Sequence, residues 1–374
     1  MKISDLQTAI SAHSSHTFSA LNFGCRANAA ETNQLSQILV DYGLTPDTDH
    51  PDVYLVNTCS ITKKGEYESI SKIKKLVKED PDVIVLATGC AHLDKVDDLP
   101  RVYTFDNLIK ESILKKNSGK YSSNIHDKFS NTERYILRVQ SGCTTNCTFC
   151  TVPSRRPYLN SLPIEEAAAT VSSAVADGYQ EVIITGVNLA QYIPGFSNLI
   201  EALLTQTKIK LISFGSVPVL CIDNKFLSLY SSFQNRVSNF LHIPLQSCSD
   251  KILKLMHRPY NKQKIIDTFD KLKTVSINKK NTLYKNINSP LPTGGDGGGL
   301  FFGTDIIVGF PLETESDFQE TYDLCQEIGF QKIHTFTYSP RPGTSARELF
   351  LESDKIPKTE LSRRSKLIRS LSYT

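Results

Sequence analysis

The sequence has no run of about 18 apolar residues, so no segment is expected to span a membrane. Its start, "MKISDLQTAISAHSSHTF", has no basic cluster leading into an apolar core, which argues against an export signal. It also has little net charge. The 42 Lys and Arg nearly balance the 39 Asp and Glu, leaving +3. That field is too weak to identify a nucleic-acid partner and does not oppose one. There is no convincing internal repeat beyond a β/α period, and no pair of C-x-x-C knuckles to frame a closed zinc site. What is present is a 374-residue chain, long enough for two or three domains and a large core. The expected location is the cytoplasm, where its nine cysteines would be thiols or metal ligands rather than disulfides.

Three of those cysteines crowd into "SGCTTNCTFCTVPSRRP", with Cys143, Cys147 and Cys150 spaced C-x3-C-x2-C. The preceding "RYILRVQ" alternates apolar residues with β-branched content and predicts a strand. The following "IEEAAATVSSAVADG" predicts a helix ending at Gly178. The thiols therefore sit on a loop after a strand. A closed structural zinc site needs four ligands, yet no fourth cysteine is near and His126 lies upstream of the strand. Three thiolates on one short loop match three corners of a [4Fe–4S] cube, whose fourth iron stays open to a substrate or cofactor. A zinc or redox site is the alternative.

From Arg134 onward, strand-like runs alternate with helical ones: "YILRVQ", "EVIITG", "KLISFG", "FLHIPL", "GTDIIVGF" and "KIHTFTY". This argues for parallel α/β units, six of them, short of the eight of a closed barrel. In such folds ligands meet the carboxyl ends of strands. Gly186 and Asn188 after the second strand, Gln246 after the fourth and Gly309 after the fifth are candidates there. For each alone, a turn is the plainer reading. His242 is read as a core or supporting residue without a metal-ligand companion.

Before Arg134, Cys25, Cys59 and Cys90 each close an apolar run, "FSALNFGC", "DVYLVNTC" and "VIVLATGC", with helical stretches between them. In a parallel sheet all three thiols converge on one edge; three separately buried cysteines are the alternative.

C-x3-C-x-aromatic-x-C, with Phe149 before Cys150, resembles the signature of the radical S-adenosylmethionine enzymes. With "NFGCRANAAETNQ", "NTCSITKKGEYES", "TGCAHLD", "TGVNLAQY", "HIPLQSCSDKILKLMHRPYN", "TDIIVGFPLETESDF" and "YSPRPGTSA", the chain is similar to the methylthiotransferases of that superfamily. The resemblance implies an amino-terminal parallel α/β sheet domain followed by an open six-unit (β/α)6 partial TIM barrel. It also implies two [4Fe–4S] clusters, one on Cys143, Cys147 and Cys150 and one on Cys25, Cys59 and Cys90, together with S-adenosylmethionine packed by Phe149. No side chain is assigned a catalytic role, since the cofactors carry the radical chemistry. The family replaces a C–H bond by C–S–CH3. One S-adenosylmethionine methylates sulfur and another is cleaved to the radical that abstracts hydrogen. The words "NTCSITKKGEYES" and "TGVN" are closest to the branch acting on N6-threonylcarbamoyladenosine at tRNA position 37. The alternatives are isopentenyladenosine in tRNA, a ribosomal-protein aspartate, or a degenerate iron–sulfur RNA-binding scaffold. The expected partners are a tRNA anticodon loop and an external electron donor, for a monomer.

The expected divisions are a leader at 1–18, a sheet domain at 19–115, a linker at 116–133 and a barrel at 134–374, with a loop inserted at about 278–302. The chain departs from the family pattern in four ways. No RNA-binding β domain follows "YSPRPGTSA" and the last helix, the inserted loop is long, Val217 stands where relatives carry an acidic residue, and Cys248 stands where a Gly is usual. Arg155 and Arg156 are read either as RNA-phosphate contacts or as a salt bridge. Arg363, Arg364, Lys366 and Arg369 are read as a basic last helix facing tRNA.

Overall fold

The computed structural model describes residues 17–60, 62–105, 134–275 and 300–372. The stretches expected to be leader, linker and inserted loop lie almost entirely outside them. Only the last residues of the first and third are described, where strands already begin at Thr17 and Phe301.

The first unit is a five-stranded parallel sheet. Its strands are β1 (Thr17–Asn22), β2 (Thr45–Pro46), β3 (Val53–Thr58), β4 (Ile84–Gly89) and β5 (Val102–Thr104), ordered β2-β1-β3-β4-β5. Helix α1 (Arg26–Asp41) covers one face and α2 (Lys63–Glu79) the other. Strand periodicity explains the sandwich. Val53, Leu55, Ile84 and Leu86 pack with Leu35, Ile38 and Leu39 on one side. Val56, Val85 and Ala87 alternate with them and pack against Ile70, Ile73 and Leu76 on the other. Strands apolar on both faces are what a buried parallel sheet requires, and each side chain so enclosed contributes roughly 1.5–3 kcal/mol. β2 and β5, only two and three residues long, were too short to leave a periodic signal.

The second unit carries the six strands expected from sequence: β6 (Arg134–Ser141), β8 (Glu181–Gly186), β9 (Leu211–Phe214), β10 (Phe240–His242), β11 (Phe301–Val308) and β12 (Lys332–Thr337). A two-residue β7 (Asn160–Ser161) adds an antiparallel edge to β6. The parallel pairs are β6–β8, β8–β9, β10–β11 and β11–β12. The two sheets are joined between β9 and β10. The Val217 amide bonds the His242 carbonyl at 2.8 Å, and the Ser238 amide bonds that of Ile212 at 2.8 Å.

Helices follow in chain order: α3 (Val152–Arg155), α4 (Ile164–Ala176), α5 (Phe196–Gln206), α6 (Asn224–Ser232), α7 (Asp250–Leu255), α8 (Lys262–Lys273), α9 (Glu315–Ile328), α10 (Ser345–Glu352) and α11 (Lys358–Ser370). Several start on side-chain caps. Asp223 accepts the Phe226 amide at 2.7 Å, and Thr314 with Asp317 closes a capping box on α9. One core runs under β6 to β12, built from Val139, Ile184, Ile212, Leu241, Ile306 and Val308 against Val171, Leu203, Phe269 and Phe318. α1 belongs to both units. It packs on β1 and β3 and also touches β6 and β8.

Candidate iron–sulfur and cofactor site

The cysteines of the first unit follow their strands directly. Asn22 pairs with Asn57, and Thr58 with Gly89, so Cys25, Cys59 and Cys90 leave the same edge. A polar lattice fixes the three ends. Asn28 donates to Asn57 Oδ1 at 3.1 Å and to the Thr58 carbonyl at 3.0 Å. Asn57 donates back to the Asn28 carbonyl at 3.0 Å and to Thr32 Oγ1 at 3.1 Å. Thr58 Oγ1 donates to the Thr88 carbonyl at 2.7 Å and accepts the Ala91 amide at 3.1 Å. Gly89 sits at φ 114°, where a Cβ would collide with the Thr58 backbone. These contacts account for the words Asn57-Thr58-Cys59 and Thr88-Gly89-Cys90. Cys59 and Cys90 are buried and Cys25 is exposed. Desolvation of its sulfur pushes the Cys25 thiol above its ordinary value; the Asn28 backbone amide and Arg156 oppose this, and Cys90 and Glu31 add to it. Cys25 is also the N-cap of α1, and its thiol reaches Asn28 Oδ1 at 3.7 Å.

The second trio lies on the loop after β6. Gly142, at φ 83°, lets that loop press against the Tyr158 carbonyl. Each thiol has a donor on it: Asn188 Nδ2 at 3.5 Å from Cys143, Arg258 Nη1 at 3.4 Å from Cys147, and the Val152 amide at 3.4 Å from Cys150. Such donors stabilise thiolates and orient ligands. Burial pushes the Cys150 thiol up to about 12; the Val152 amide and Arg258 oppose this and the neighbouring thiols add to it. Arg258 was not singled out from sequence, although it stands in the word "MHRPYN". It leaves a left-handed turn at His257 (φ 53°) and is held by Tyr260 Oη at 2.6 Å. The loop is pinned from beyond by Thr148, whose hydroxyl donates to the Leu255 carbonyl at 2.8 Å and whose carbonyl accepts the Ala346 amide at 3.0 Å.

The donor sets discriminate between metals. A tetrahedral zinc ion with bonds near 2.3 Å holds its sulfurs about 3.8 Å apart. Among the described residues, the one group of three His, Cys, Asp or Glu with all ligand atoms within 4.8 Å is His242, Asp305 and His334. Neither cysteine trio is that tight. The spacing and the all-thiol donors suit a polynuclear cluster, and no fourth cysteine joins either trio.

The residues expected around the cofactor are placed unevenly. Asn188 belongs to the cysteine loop, also donating to Thr145 Oγ1 at 3.2 Å. Phe149 packs edge-on to Phe310, centroids 6.5 Å apart, in an apolar cluster with Met256 and Tyr338. A Cβ on Gly186 would meet Leu189 at 2.8 Å and Gln140 at 3.0 Å. Gly309 (φ 74°) faces Leu361 and gives its amide to Glu313 at 2.7 Å. Gln246 holds φ 70°, a strained value for a residue with a side chain, at the β10–β11 junction. Tyr338 Oη, Ser339 Oγ and Arg341 Nη2, just past β12, are buried without a hydrogen-bond partner among the described residues, as groups awaiting a ligand or water are.

Several sequence expectations need correction. His242 does have companions. Its Nε2 lies 3.1 Å from Asp305 Oδ1, which also lies 3.2 Å from His334 Nδ1. Contacts across three strands leave no mark in linear spacing. Both rings share one carboxylate oxygen. Burial opposes ionisation of Asp305, but the two rings hold it below the usual carboxylate range. Of the two readings of the arginine pair, Arg156 takes the salt bridge, buried with Glu31, and Arg155 lies against the His92 ring. Arg363 and Arg364 are taken up by Glu313, Glu315 and Glu360. Cys248 is fully buried and interacts with Cys325, so it does not line the mouth.

Comparison with known proteins follows this division. The Radical SAM superfamily profile matches residues 137–287, and the Uncharacterized protein family UPF0004 profile matches residues 17–109. The Threonylcarbamoyladenosine tRNA methylthiotransferase MtaB of Aquifex aeolicus is 30% identical over 376 residues, covering 93% of this chain and 86% of the relative. Its namesake in Rickettsia prowazekii is 29% identical, covering 93% and 81%. The tRNA-2-methylthio-N(6)-dimethylallyladenosine synthase of Oceanobacillus iheyensis is 28% identical, covering 94% and 70%. Among solved structures, the radical S-adenosylmethionine methyltransferase TsrM of Kitasatospora setae superposes with a TM-score of 0.61 at 11% identity, over 89% of this chain and 77% of that one. That likeness concerns the fold alone.

Proposed function

The chain belongs to the methylthiotransferase family of radical S-adenosylmethionine enzymes, and from that premise we propose that it adds a methylthio group to C2 of N6-threonylcarbamoyladenosine at tRNA position 37. The observation that carries the reading is the pair of cysteine trios, each at the carboxyl ends of parallel strands, in units that share α1. When bound, two [4Fe–4S] clusters and S-adenosylmethionine supply the radical and the methylated sulfur.

The protein's part is to hold and shield. Cys143, Cys147 and Cys150 would ligate one cluster, with Asn188, Arg258 and the Val152 amide stabilising their thiolates. Cys25, Cys59 and Cys90 would ligate the other, on the lattice of Asn28, Asn57 and Thr58. The six strands β6 and β8 to β12 would form the family's open barrel. The divisions expected from sequence, 19–115 and 134–374, would be its working units. Phe149, Gly186, Asn188, Gln246 and Gly309 would line the cofactor site, and the unpartnered groups of Tyr338, Ser339 and Arg341 would offer polar contacts at the mouth.

A target base in an anticodon loop can be splayed into such a mouth at modest cost. A cleft of about 860 Å³ beside Thr148 carries Lys254 and His257 on its rim, a place for RNA phosphate. The substrate choice rests on the relatives named for threonylcarbamoyladenosine. The relative named for dimethylallyladenosine, of similar identity, makes that base the second reading. The test is mass spectrometry of tRNA nucleosides from cells with and without the protein. Loss of 2-methylthio-N6-threonylcarbamoyladenosine supports the proposal. Loss of the dimethylallyl product instead supports the second reading, and an unchanged nucleoside profile overturns both.

A further inference from the structure

One residue touches both trios. Arg156 ends the helix that follows Cys150, and its carbonyl accepts the Cys143 amide at 3.1 Å, closing the base of the second loop. Its side chain points the other way, into the first unit. There it is 4% exposed. It forms a bidentate pair with Glu31, one of whose contacts is 2.9 Å, and reaches Asn28 Oδ1 at 3.2 Å and Ser141 Oγ at 3.3 Å. Its positive charge also acts on the nearby Cys90 thiol. Asn28 in turn carries the Cys25 thiol at 3.7 Å and anchors the lattice behind Cys59. Glu31 is itself fully buried and takes a second arginine, Arg138 of β6, at 3.3 Å.

We propose that Arg156 is a positioning residue that couples the two cysteine trios: its main chain fixes the loop of Cys143, while its guanidinium fixes the start of α1, through Glu31 and the Asn28 that carries Cys25. The inference rests on the two-cluster reading above. A planar fork can satisfy Glu31, Asn28 and Ser141 together, which an ammonium cannot. A buried cation beside a cluster thiolate also raises the reduction potential of that cluster by favouring its more negative, reduced form. Arg156 thus sets both where the first trio stands relative to the second and how easily it is reduced.

The experiment uses reconstituted full-length protein in two backgrounds. Cys147→Ala leaves only the first trio to bind iron, and Cys59→Ala leaves only the second. EPR-monitored redox titration of Arg156→Met is expected to lower the potential of the first trio's cluster and leave that of the second unchanged. With all cysteines present, Arg156→Met is expected to form at least about tenfold more 5′-deoxyadenosine per methylthio product, the scale of loss typical of ligand-supporting residues. Arg156→Lys, which keeps the charge but loses the fork, is expected to restore the potential and not the coupling. Should Arg156→Met fail to fold, the Glu31→Gln/Arg156→Met double variant, with no buried carboxylate left unpaired, supplies the same readings. An intact first cluster with unchanged potential and unchanged coupling overturns the proposal alone. A Cys147→Ala protein that holds no cluster overturns the two-cluster reading beneath it.

Discussion

In the sheet of residues 17–104, three thiols are brought together by topology: Cys25, Cys59 and Cys90 come from three strands, and the parallel register puts their ends on one edge. Beyond Arg134 the same number of thiols arises from one loop, within eight residues of Cys143. The two regions also support their thiols differently. The first uses side-chain amides and hydroxyls that stitch helix to strand, Asn28 to Asn57, and strand to strand, Thr58 to Thr88. The second gives each sulfur a separate donor from a different element, Asn188, Arg258 or the Val152 amide. A site assembled from distant strands needs a lattice to hold its register, whereas a site on one loop needs only that the loop be pinned.

The comparison breaks hardest at the ligands. Cys147→Ala is expected to abolish both 5′-deoxyadenosine and methylthio product. Cys59→Ala is expected to keep deoxyadenosine formation within about a factor of two while abolishing methylthio product, both read by mass spectrometry. Full methylthio transfer by the Cys59 variant would remove the first trio from the reaction.

Next come the backbone positions that each region depends on. Gly89→Ala drives a Cβ into the Thr58 backbone and Gly142→Ala drives one into the Tyr158 carbonyl. Each is expected to cost about 1–3 kcal/mol of stability by overpacking. Each should also lower iron content by about half, from its own region only. Thermal melting and iron assays check this, and loss from the opposite region contradicts the separation.

The separate-donor arrangement is sharpened by Arg258→Ala. Removing the partner of Cys147 is expected to slow deoxyadenosine formation about 10–100-fold without changing iron in the first trio. The smallest effect is expected at the exposed rim. Lys254→Ala should weaken tRNA binding modestly and reduce the logarithmic salt dependence by about one unit. An unchanged salt slope removes Lys254 from the RNA path.

How far the sequence reached also differs between the regions. The loop trio was legible from spacing alone, because Cys143, Cys147 and Cys150 are neighbours in the chain. The sheet trio was legible only once strands were read before each cysteine, and the six later strands followed from the same alternation. The roles of Arg156, Asp305 and Arg258 were hidden, because each meets its partners across separate elements: Glu31 lies 125 residues from Arg156, and Cys147 lies 111 from Arg258. Charge was only half legible in the same way. The partners of Arg363 and Arg364, Glu313 and Glu315, lie on another segment and come beside them only in the fold. Gly186 and Gly309 show the limit of such reading, because a glycine after a strand is compatible with either a turn or a close approach.

The central claim is that two independent thiol trios each hold a cluster. Iron and sulfide quantification with Mössbauer spectroscopy on anaerobically reconstituted wild-type, Cys59→Ala and Cys147→Ala proteins tests it most directly. About eight irons per chain in the first and about four in each variant, all in [4Fe–4S] form, is the expected result. Zinc in place of iron, or a wild-type content of about four that Cys59→Ala leaves undiminished, contradicts it.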